Sequence, residues 1–532
     1  MCGECAAGHR IPSETAGAGD VTQSTITSML DDHASNRPAI TAIVCAGIEL
    51  DYATLRADSI RIANGLAGAG VTTGVRVAYL GKESVDYYRL VFACARLGAV
   101  LVPINFRLAP PEVEHIVQDS GSTLVLVDAE TADVACSAAL TQRILRIDDT
   151  EFVAWLGCPA EPSTHETPSG RADPMVQLYT SGTTGLPKGV VLAQHSFFAI
   201  TDALAEHGLD WIDFRVGDRS LIGIPGFHVG GIWWAMQGFA AGITNVAMPR
   251  FDSRDAVRLI EDTGITIVCL VPSMLRLLID EPHVTADTFS SLRKVVYGGS
   301  PISETLLREA MMLCGAEFAQ IYGLTETGNT AICLPPADHK SGNLRLAAAG
   351  RPYPGVTAKI IDAMGRPRPN GEVGEICLHT PAAMLGYWNL PDATARTLVD
   401  GWIHTGDAGF LDDEGYIYIR DRFKDMIIVG GENIYPTEIE RILAEHPAVA
   451  DSAVIGVPDD VLGELAYAFV ACRPDHQVRA RELVLFCRDR LALFKIPARF
   501  EFVDSIPRNP SGKILRRQLR ARSWGDRERQ VN

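Results

Sequence analysis

The sequence predicts an α/β protein: a large N-terminal domain of mixed α/β sheets, a small antiparallel, barrel-like unit that closes it, and a small α+β C-terminal domain. Three observations carry this prediction. Strand-like apolar runs alternate with amphipathic helical runs along Ile265–Val271, Ser273–Ile279, Lys294–Tyr297, Ser303–Leu313 and Glu317–Tyr322, the pattern of strands covered by helices. From Gly350 onward short strands with turn signals take over, at Thr357–Asp362, Gly374–Leu378, Gly409–Leu411 and Tyr416–Ile419. Beyond Arg420 a compact segment has its own core pattern, at Ile427–Val429, Ile439–Ala444, Ala453–Val457, Ala468–Ala471 and Arg481–Leu491. The charged cluster Arg420–Asp425 is then the natural hinge. The expected divisions are a flexible tail at 1–20, an N-terminal domain at 21–420, a hinge at 421–424 and a C-terminal domain at 425–532.

The earlier elements follow from periodicity. Thr22–Asp32 and Thr54–Leu66 repeat apolar residues at helical spacing, and Val75–Leu80 reads as a strand. Gly68, Gly70 and Gly74 resemble a dinucleotide fingerprint with one residue too many, and they follow a helix, so they form a helix C-cap and turn. Ser84–Leu97 is an amphipathic helix stopped by Gly98, and Ala99–Ile104 is apolar enough to be buried on both faces. There is no fixed-period repeat.

Composition narrows the function. In 532 residues, 47% are hydrophobic and 21% charged, and the net charge is −17, which repels nucleic acid and anionic membranes. Most of the 12 cysteines sit singly inside apolar runs, such as Cys94 and Cys269, as reduced thiols of a cytoplasmic protein do. Cys2 and Cys5 lack a second ligand pair at metal spacing and belong to the tail. The first twenty residues lack the pattern of a signal peptide. Leu221–Pro249 holds no Asp, Glu, Lys or Arg, but prolines, glycines, His228 and Gln237 interrupt it, so it is a buried, pocket-lining segment and not a transmembrane span.

Tyr179–Gly189 concentrates the chemistry: three glycines, four hydroxyl side chains and Lys188 in one short loop between the strand runs Val176–Tyr179 and Val190–Leu192. Glycines let backbone N–H groups approach phosphate oxygens, hydroxyls add donors, and the ammonium adds charge. Pro187 precedes Lys188 and Gly189 follows it, which excludes the nucleotide-triphosphatase loop.

This loop closely resembles the phosphate-binding signature of the adenylate-forming enzymes, which include acyl-CoA synthetases, peptide-synthetase adenylation domains and beetle luciferases. Five further segments match in family order: Gly298-Gly299-Ser300-Pro301, Gln320–Thr327, Gly401–Asp407 with Arg422, Gly430–Pro436, and Arg508–Arg517. The resemblance implies ATP, Mg²⁺ and coenzyme A as ligands. It implies that Thr180, Ser181, Gly182, Thr183, Thr184, Gly185 and Lys188 hold the leaving phosphates, and that Gly298, Gly299 and Ser300 lie against adenine with Tyr322 and Gly323. Thr325 is implied to bond the α-phosphate, Glu326 to hold Mg²⁺ with Thr183, and Asp407 and Arg422 to bind the ribose. Lys424 falls at the position about which the family swings its small domain, which makes that domain mobile. Gly430 and Gly431 are implied to line the pantetheine tunnel. Lys513 is the lysine implied to offset charge between the carboxylate and the α-phosphate. Arg516, Arg517 and Arg520 suit a solvated basic face or the 3′-phosphate of coenzyme A.

The acid pocket departs from the amino-acid-activating relatives. His228 follows Phe227 where those relatives have an Asp, which disfavours an α-amino acid. No lysine or arginine of Leu221–Pro249 is there to pair a second carboxylate, so the expected substrate is a neutral, mainly apolar acid. Gly230 and Gly231 beside Trp233 and Trp234 suit a flat cavity for a ring or a channel for an alkyl chain, and the tryptophans are equally suited to the core. The expected reaction is acyl-AMP formation followed by thioester formation with coenzyme A. An acyl carrier protein, or a second enzyme, is the alternative acceptor, and a homodimer is allowed. A nucleotide-binding interaction protein and a luciferase-like oxygenase are the rivals.

Overall fold

A computed structural model gives the fold; it describes residues 25–161, 170–180, 187–339, 344–422, 425–429, 432–459, 462–474, 476–488, 490–509 and 512–524. The tail with Cys2 and Cys5, the loop residues Ser181, Gly182, Thr183, Thr184 and Gly185, and Lys424, Gly430 and Gly431 lie outside the described residues.

The N-terminal region builds two large sheets with helices packed between and around them. The nine-stranded sheet runs, in spatial order, Arg351–Pro352, Ile332–Leu334, Glu317–Tyr322, Lys294–Gly298, Ile267–Leu270, Arg219–Ile222, Thr244–Ala247, Thr41–Cys45 and Ile48–Asp51. Its six middle strands are parallel and its edges antiparallel. The parallel strands are buried on both faces, as their continuous Val, Ile and Leu runs require. The seven-stranded sheet runs Gly386–Tyr387, Lys188–Ala193, Pro174–Thr180, Val100–Ile104, Arg76–Leu80, Leu124–Val127 and Arg143–Arg146. Helices are stopped and started by the expected chemistry: Ser84 and Ser303 cap the helices after them, and Gly98 ends Val85–Leu97 at φ +63°.

Leu221–Pro249 is neither a span nor a simple liner. It holds the end of one parallel strand, the helix Val229–Ala240, and the next strand Thr244–Ala247. Both tryptophans of the helix are core residues, Trp234 donating from its ring N–H to the Leu221 carbonyl at 3.1 Å. A Cβ at Gly231 would meet the Ile224 carbonyl at 2.3 Å, so this glycine exists to let the helix lie against the strand end. Among the described residues no helix is long and apolar enough to cross a membrane.

The antiparallel unit is a five-stranded sheet of Thr357–Ile361, Gly374–His379, Trp402–Leu411, Leu398–Val399 and Ile417–Arg422. A fourth sheet joins Glu432–Ile434, Ile427–Val429, Gly463–Cys472, Val449–Asp459 and Arg499–Phe502. One apolar cluster spans Ile26 to Ile417, and a separate one around Ile439, Leu443, Val454 and Leu483 belongs to the last sheet and its helices. The architecture matches the α/β expectation, with a small α+β C-terminal part.

The charged run Arg420–Asp425 is not simply solvated. Arg420 to Arg422 end a strand, Asp421 accepts from the Thr437 N–H and hydroxyl, both at 2.9 Å, and buried Asp425 takes Arg520 at 3.0 Å. Arg516 Nη2 donates to both carboxylate oxygens of Glu440, at 2.7 and 2.8 Å. Burial opposes the Arg516 charge, but Glu440 more than offsets it and holds the guanidinium protonated. Two of the three arginines expected on a basic face therefore brace the C-terminal core, and only Arg517 is exposed.

Candidate active site

The carboxyl ends of the parallel strands point their loops at one region, where an open α/β sheet places its ligands. Tyr322 ends one strand, and its hydroxyl donates to Asp407 Oδ2 at 2.7 Å. Burial and the neighbouring carboxylate push the Tyr322 pKa well up, so the phenol stays a donor. Asp407 is 5% exposed and pairs with Arg422 at 3.2 Å. The two are cross-strand partners in register, which is how residues fifteen positions apart come to lie side by side. Behind them, Glu375 Oε1 accepts the Gly406 N–H at 3.0 Å and Oε2 meets His404 Nδ1 at 3.1 Å, while Thr405 Oγ1 donates to the Ile376 carbonyl and accepts the Asp407 N–H. Glu375 thus fixes the turn that aims Asp407.

Thr325 and Glu326 form a single helical turn closed by Gly328, at φ +69°, where a Cβ would meet the Ala382 carbonyl at 2.5 Å. Tyr387 donates to Glu326 Oε1 at 2.7 Å and Met384 N–H donates to the Glu326 carbonyl at 2.9 Å. For Glu326 Oε2 no hydrogen-bond donor lies among the described residues. Tyr387 also sits under the Lys188 ammonium, 5.0 Å from its ring centroid. Lys188 opposes Thr180 across the hairpin, and the Gly189 carbonyl accepts the Trp388 N–H. Gly386–Tyr387 is therefore a short edge strand that ties the strand Lys188–Ala193 to Glu326. Gly298 ends its strand so close to Ile321 that a Cβ would stand 2.3 Å from that carbonyl, and a Cβ at Gly323 would stand 2.3 Å from the Asn329 carbonyl. Gly299, at φ +83°, and half-buried Ser300 continue that loop.

Lys513 arrives from the far end of the chain on a hairpin closed by Asn509, which accepts the Lys513 N–H at 2.8 Å. The hairpin lies on the N-terminal region: a Cβ at Gly512 would stand 2.6 Å from Ser273 Oγ and 3.4 Å from Val271 Cγ2. Val271 Cγ1 would stand 3.4 Å from a Cβ at Gly299, so Gly299 and the Lys513 hairpin flank one valine.

His228, the residue expected beside the acid, is the N-cap of the helix Val229–Ala240. Its Nε2 is buried without a hydrogen-bond partner among the described residues, and the same holds for Asn329 Nδ2. Burial, with Arg107 adding to it, pushes His228 down to about 4, so the ring is neutral at physiological pH. The loop before it is pinned by Glu83, which accepts the Gly226 N–H at 2.8 Å and the Tyr88 hydroxyl. Burial pushes Glu83 up to about 7. Phe227 packs edge-on against Phe106, and Arg107 next to it is close enough to Arg250 to feel its charge. Arg107 and Arg250 are both exposed and lie outside the apolar segment, and the Arg107 charge opposes protonation of His228. Asn329 was also missed; it follows Gly328 and takes φ +96°, a conformation Asn tolerates better than most residues.

Residues 30–388 match the AMP-binding enzyme family, and residues 438–513 match the AMP-binding enzyme C-terminal domain. The chain belongs to the AMP-binding enzyme family. It is 57% identical over 513 residues to the fatty acid–[acyl-carrier-protein] ligase ScoC of Streptomyces coeruleorubidus, covering 96% of this chain and 98% of that one. It is 36% identical over 504 residues to the long-chain-fatty-acid–CoA ligase FadD13 of Mycobacterium tuberculosis, covering 92% and 97%. ATP-bound MatB of Rhodopseudomonas palustris superposes with a TM-score of 0.85 at 30% identity, covering 94% and 99%. This AMP-binding enzyme is an acid–thiol ligase of the adenylate-forming class.

Proposed function

We propose that this AMP-binding enzyme activates a fatty acid with ATP and passes the acyl group to the phosphopantetheine thiol of an acyl carrier protein. The observation that carries the acceptor is the 57% identity with a fatty acid–[acyl-carrier-protein] ligase, against 36% with a CoA ligase.

In the first step a carboxylate oxygen attacks the α-phosphorus of ATP, the bond to the β-phosphate bridge breaks, and pyrophosphate leaves. Thr180 to Gly185 and Lys188 hold the departing phosphates. Tyr322, Gly298, Gly299, Ser300 and Gly323 take the base, and Asp407 with Arg422 takes the ribose hydroxyls. Thr325 donates to the α-phosphate, and Lys513 offsets the charge that develops between carboxylate and phosphate. Glu326, with Oε1 held by Tyr387, suits a hard divalent cation, so Glu326 and Thr183 would hold Mg²⁺, which neutralises phosphate charge when bound. Neutral His228 and Asn329 offer the acid unpaired polar atoms without a fixed charge. In the second step the C-terminal unit turns at Lys424, Gly430 and Gly431 line the pantetheine arm, the thiolate sulfur attacks the acyl carbonyl, and AMP leaves. The whole sequence needs positioning and charge, with no covalent enzyme intermediate.

Acid-dependent pyrophosphate release across alkyl, aryl and polycyclic acids, followed by mass spectrometry of the thioester, tests the reading. Alkyl acids and acylated holo-carrier are expected; turnover confined to aryl acids, or to coenzyme A alone, contradicts it.

A further inference from the structure

The antiparallel unit brings a carboxylate, a thiol and an imidazole within reach of one ion. Glu375 and Cys377 lie on the strand Gly374–His379, which neighbours Trp402–Leu411, the strand of His404. Cys377 stands opposite His404 and Glu375 opposite Ala408, so Thr405, Gly406 and Asp407 bulge from the ladder against Ile376 alone. Gly406 takes φ +69° in that bulge. One ligand atom from each of Glu375, Cys377 and His404 lies within 4.8 Å of the others, and Glu375 Oε2 is 3.1 Å from His404 Nδ1.

These separations are close to what zinc needs. Tetrahedral zinc sits about 2.0–2.1 Å from nitrogen and oxygen and about 2.3 Å from sulfur, which sets its ligand atoms about 3.3–3.6 Å apart. The Glu375–His404 contact has to widen by a few tenths of an ångström, and the sulfur has to close by at most about 1.2 Å, movements that side-chain torsions supply. Cys377 is fully buried, while the Glu375 and His404 side chains are 25% and 26% exposed. The cluster is therefore open to solvent on one side, where the ion enters and water completes the tetrahedron. Glu375 is also held for the purpose: its Oε1 accepts the Gly406 N–H at 3.0 Å, which leaves Oε2 for an ion.

Charge and softness select the ion. A thiolate and a carboxylate together cancel a divalent charge, and a neutral imidazole adds none. Sulfur and imidazole suit zinc, whereas Mg²⁺ takes oxygen ligands. Burial, then the Glu375 carboxylate, push the Cys377 thiol up to about 12 against the pull of Lys359, so the ion itself has to draw the proton off. On binding, that proton passes to water and His404 carries its ring proton on Nε2.

We propose that Glu375, Cys377 and His404 form a zinc site, with water as the fourth ligand, that staples the two strands behind the turn of Asp407. It is separate from the Mg²⁺ position assigned to Glu326.

The test strips the full-length enzyme with EDTA, titrates Zn²⁺ in competition with a chromophoric chelator, and repeats the titration with Co²⁺, whose absorption reports tetrahedral geometry and a thiolate ligand. One Zn²⁺ per chain and a sulfur-to-cobalt charge-transfer band are expected. Cys377→Ser should abolish the band and weaken Zn²⁺ binding about 100-fold or more, since losing even an outer partner of a ligand costs about 10–100-fold. His404→Gln should weaken binding to a similar degree with the band retained; His404 is partly exposed, so this variant carries the test even where the buried serine disturbs the sheet. Zn²⁺ should raise the Tm of the unaltered enzyme and leave that of Cys377→Ser unchanged. Cys2 and Cys5, with His9 near them, are the rival ligands in this chain, and Cys2→Ser/Cys5→Ser should bind Zn²⁺ as the unaltered enzyme does. Loss of zinc in that tail variant, unchanged affinity in both Cys377→Ser and His404→Gln, or an unaltered enzyme that binds no Zn²⁺ overturns the proposal.

Discussion

Replacing Gly512 by alanine should separate the two half-reactions without touching a group that meets the substrates. Gly512 holds φ +76° at the tip of the hairpin that carries Lys513. An alanine in that left-handed conformation costs about 1–2 kcal/mol. Its Cβ would also stand 2.6 Å from Ser273 Oγ, but a serine hydroxyl rotates away readily, and the 3.4 Å approach to Val271 Cγ2 is ordinary contact. The backbone term therefore dominates, and it lowers the docking equilibrium constant of the hairpin by about five- to thirty-fold, the largest loss of docked population it can cause. Fatty-acid-dependent pyrophosphate exchange should fall by that factor. Thioester formation from supplied acyl-AMP, which does not need Lys513 in place, should stay within about twofold. Adding Ser273→Ala should recover only the small steric part. Equal losses in both half-reactions, or none in either, would refute the docking of this hairpin as the adenylating arrangement.

Lys513→Ala should lower pyrophosphate exchange by about 10²-fold or more while sparing thioester formation from acyl-AMP, since only the first step develops the charge it offsets. Glu375→Ala should raise KM for ATP about tenfold with little change in KM for the acid, because Gly406 loses a charged acceptor; Glu375→Gln, which keeps an acceptor, should recover part of it. His228 titrates at about 4 in the fold against about 6.5 unfolded, so the unfolded chain binds the proton first as pH falls. Its contribution is neutral above pH ~6.5 and becomes a loss growing to about 3 kcal/mol near pH 4. Denaturant midpoints for His228→Gln should therefore fall less steeply between about pH 6.5 and pH 4.5 than those of the unaltered enzyme; buried His339, pushed down to about 4 in the same way, leaves a residual slope in both.

Much of this architecture was legible because local signals agreed with the global fold. Val295, Val296, Ile267 and Val268 form unbroken apolar runs, and such runs become central parallel strands. The motif order was legible too, since Tyr322, Asp407 and Arg422 each sit in a distinctive short context. What sequence order concealed was adjacency made by register and packing. Asp407 faces Arg422 only because the antiparallel strands align there, and Glu375 holds the Gly406 N–H beside Asp407 from the neighbouring strand. Glu83 and Arg107 carry no motif; Glu83 bonds Gly226 and Arg107 acts on His228 through tertiary placement alone. Sequence left the tryptophans beside Gly230 and Gly231 open between a cavity wall and the core, because a glycine pair beside aromatic residues is equally the mark of a tightly packed helix, and Trp233 and Trp234 are core. The arginines after Lys513 looked solvated because their partners, Glu440 and Asp425, lie 76 and 95 residues away.

Acyl transfer to a carrier protein distinguishes this enzyme from a coenzyme A ligase. It is tested most directly by competition, with the enzyme given a fatty acid, Mg·ATP, and equimolar holo-carrier and coenzyme A, and both thioesters quantified by mass spectrometry at early times. A kcat/KM for the carrier at least about tenfold above that for coenzyme A is expected, the factor that one docked patch worth about 1.4 kcal/mol supplies. Accumulation of acyl-CoA with the carrier left unacylated would contradict the account.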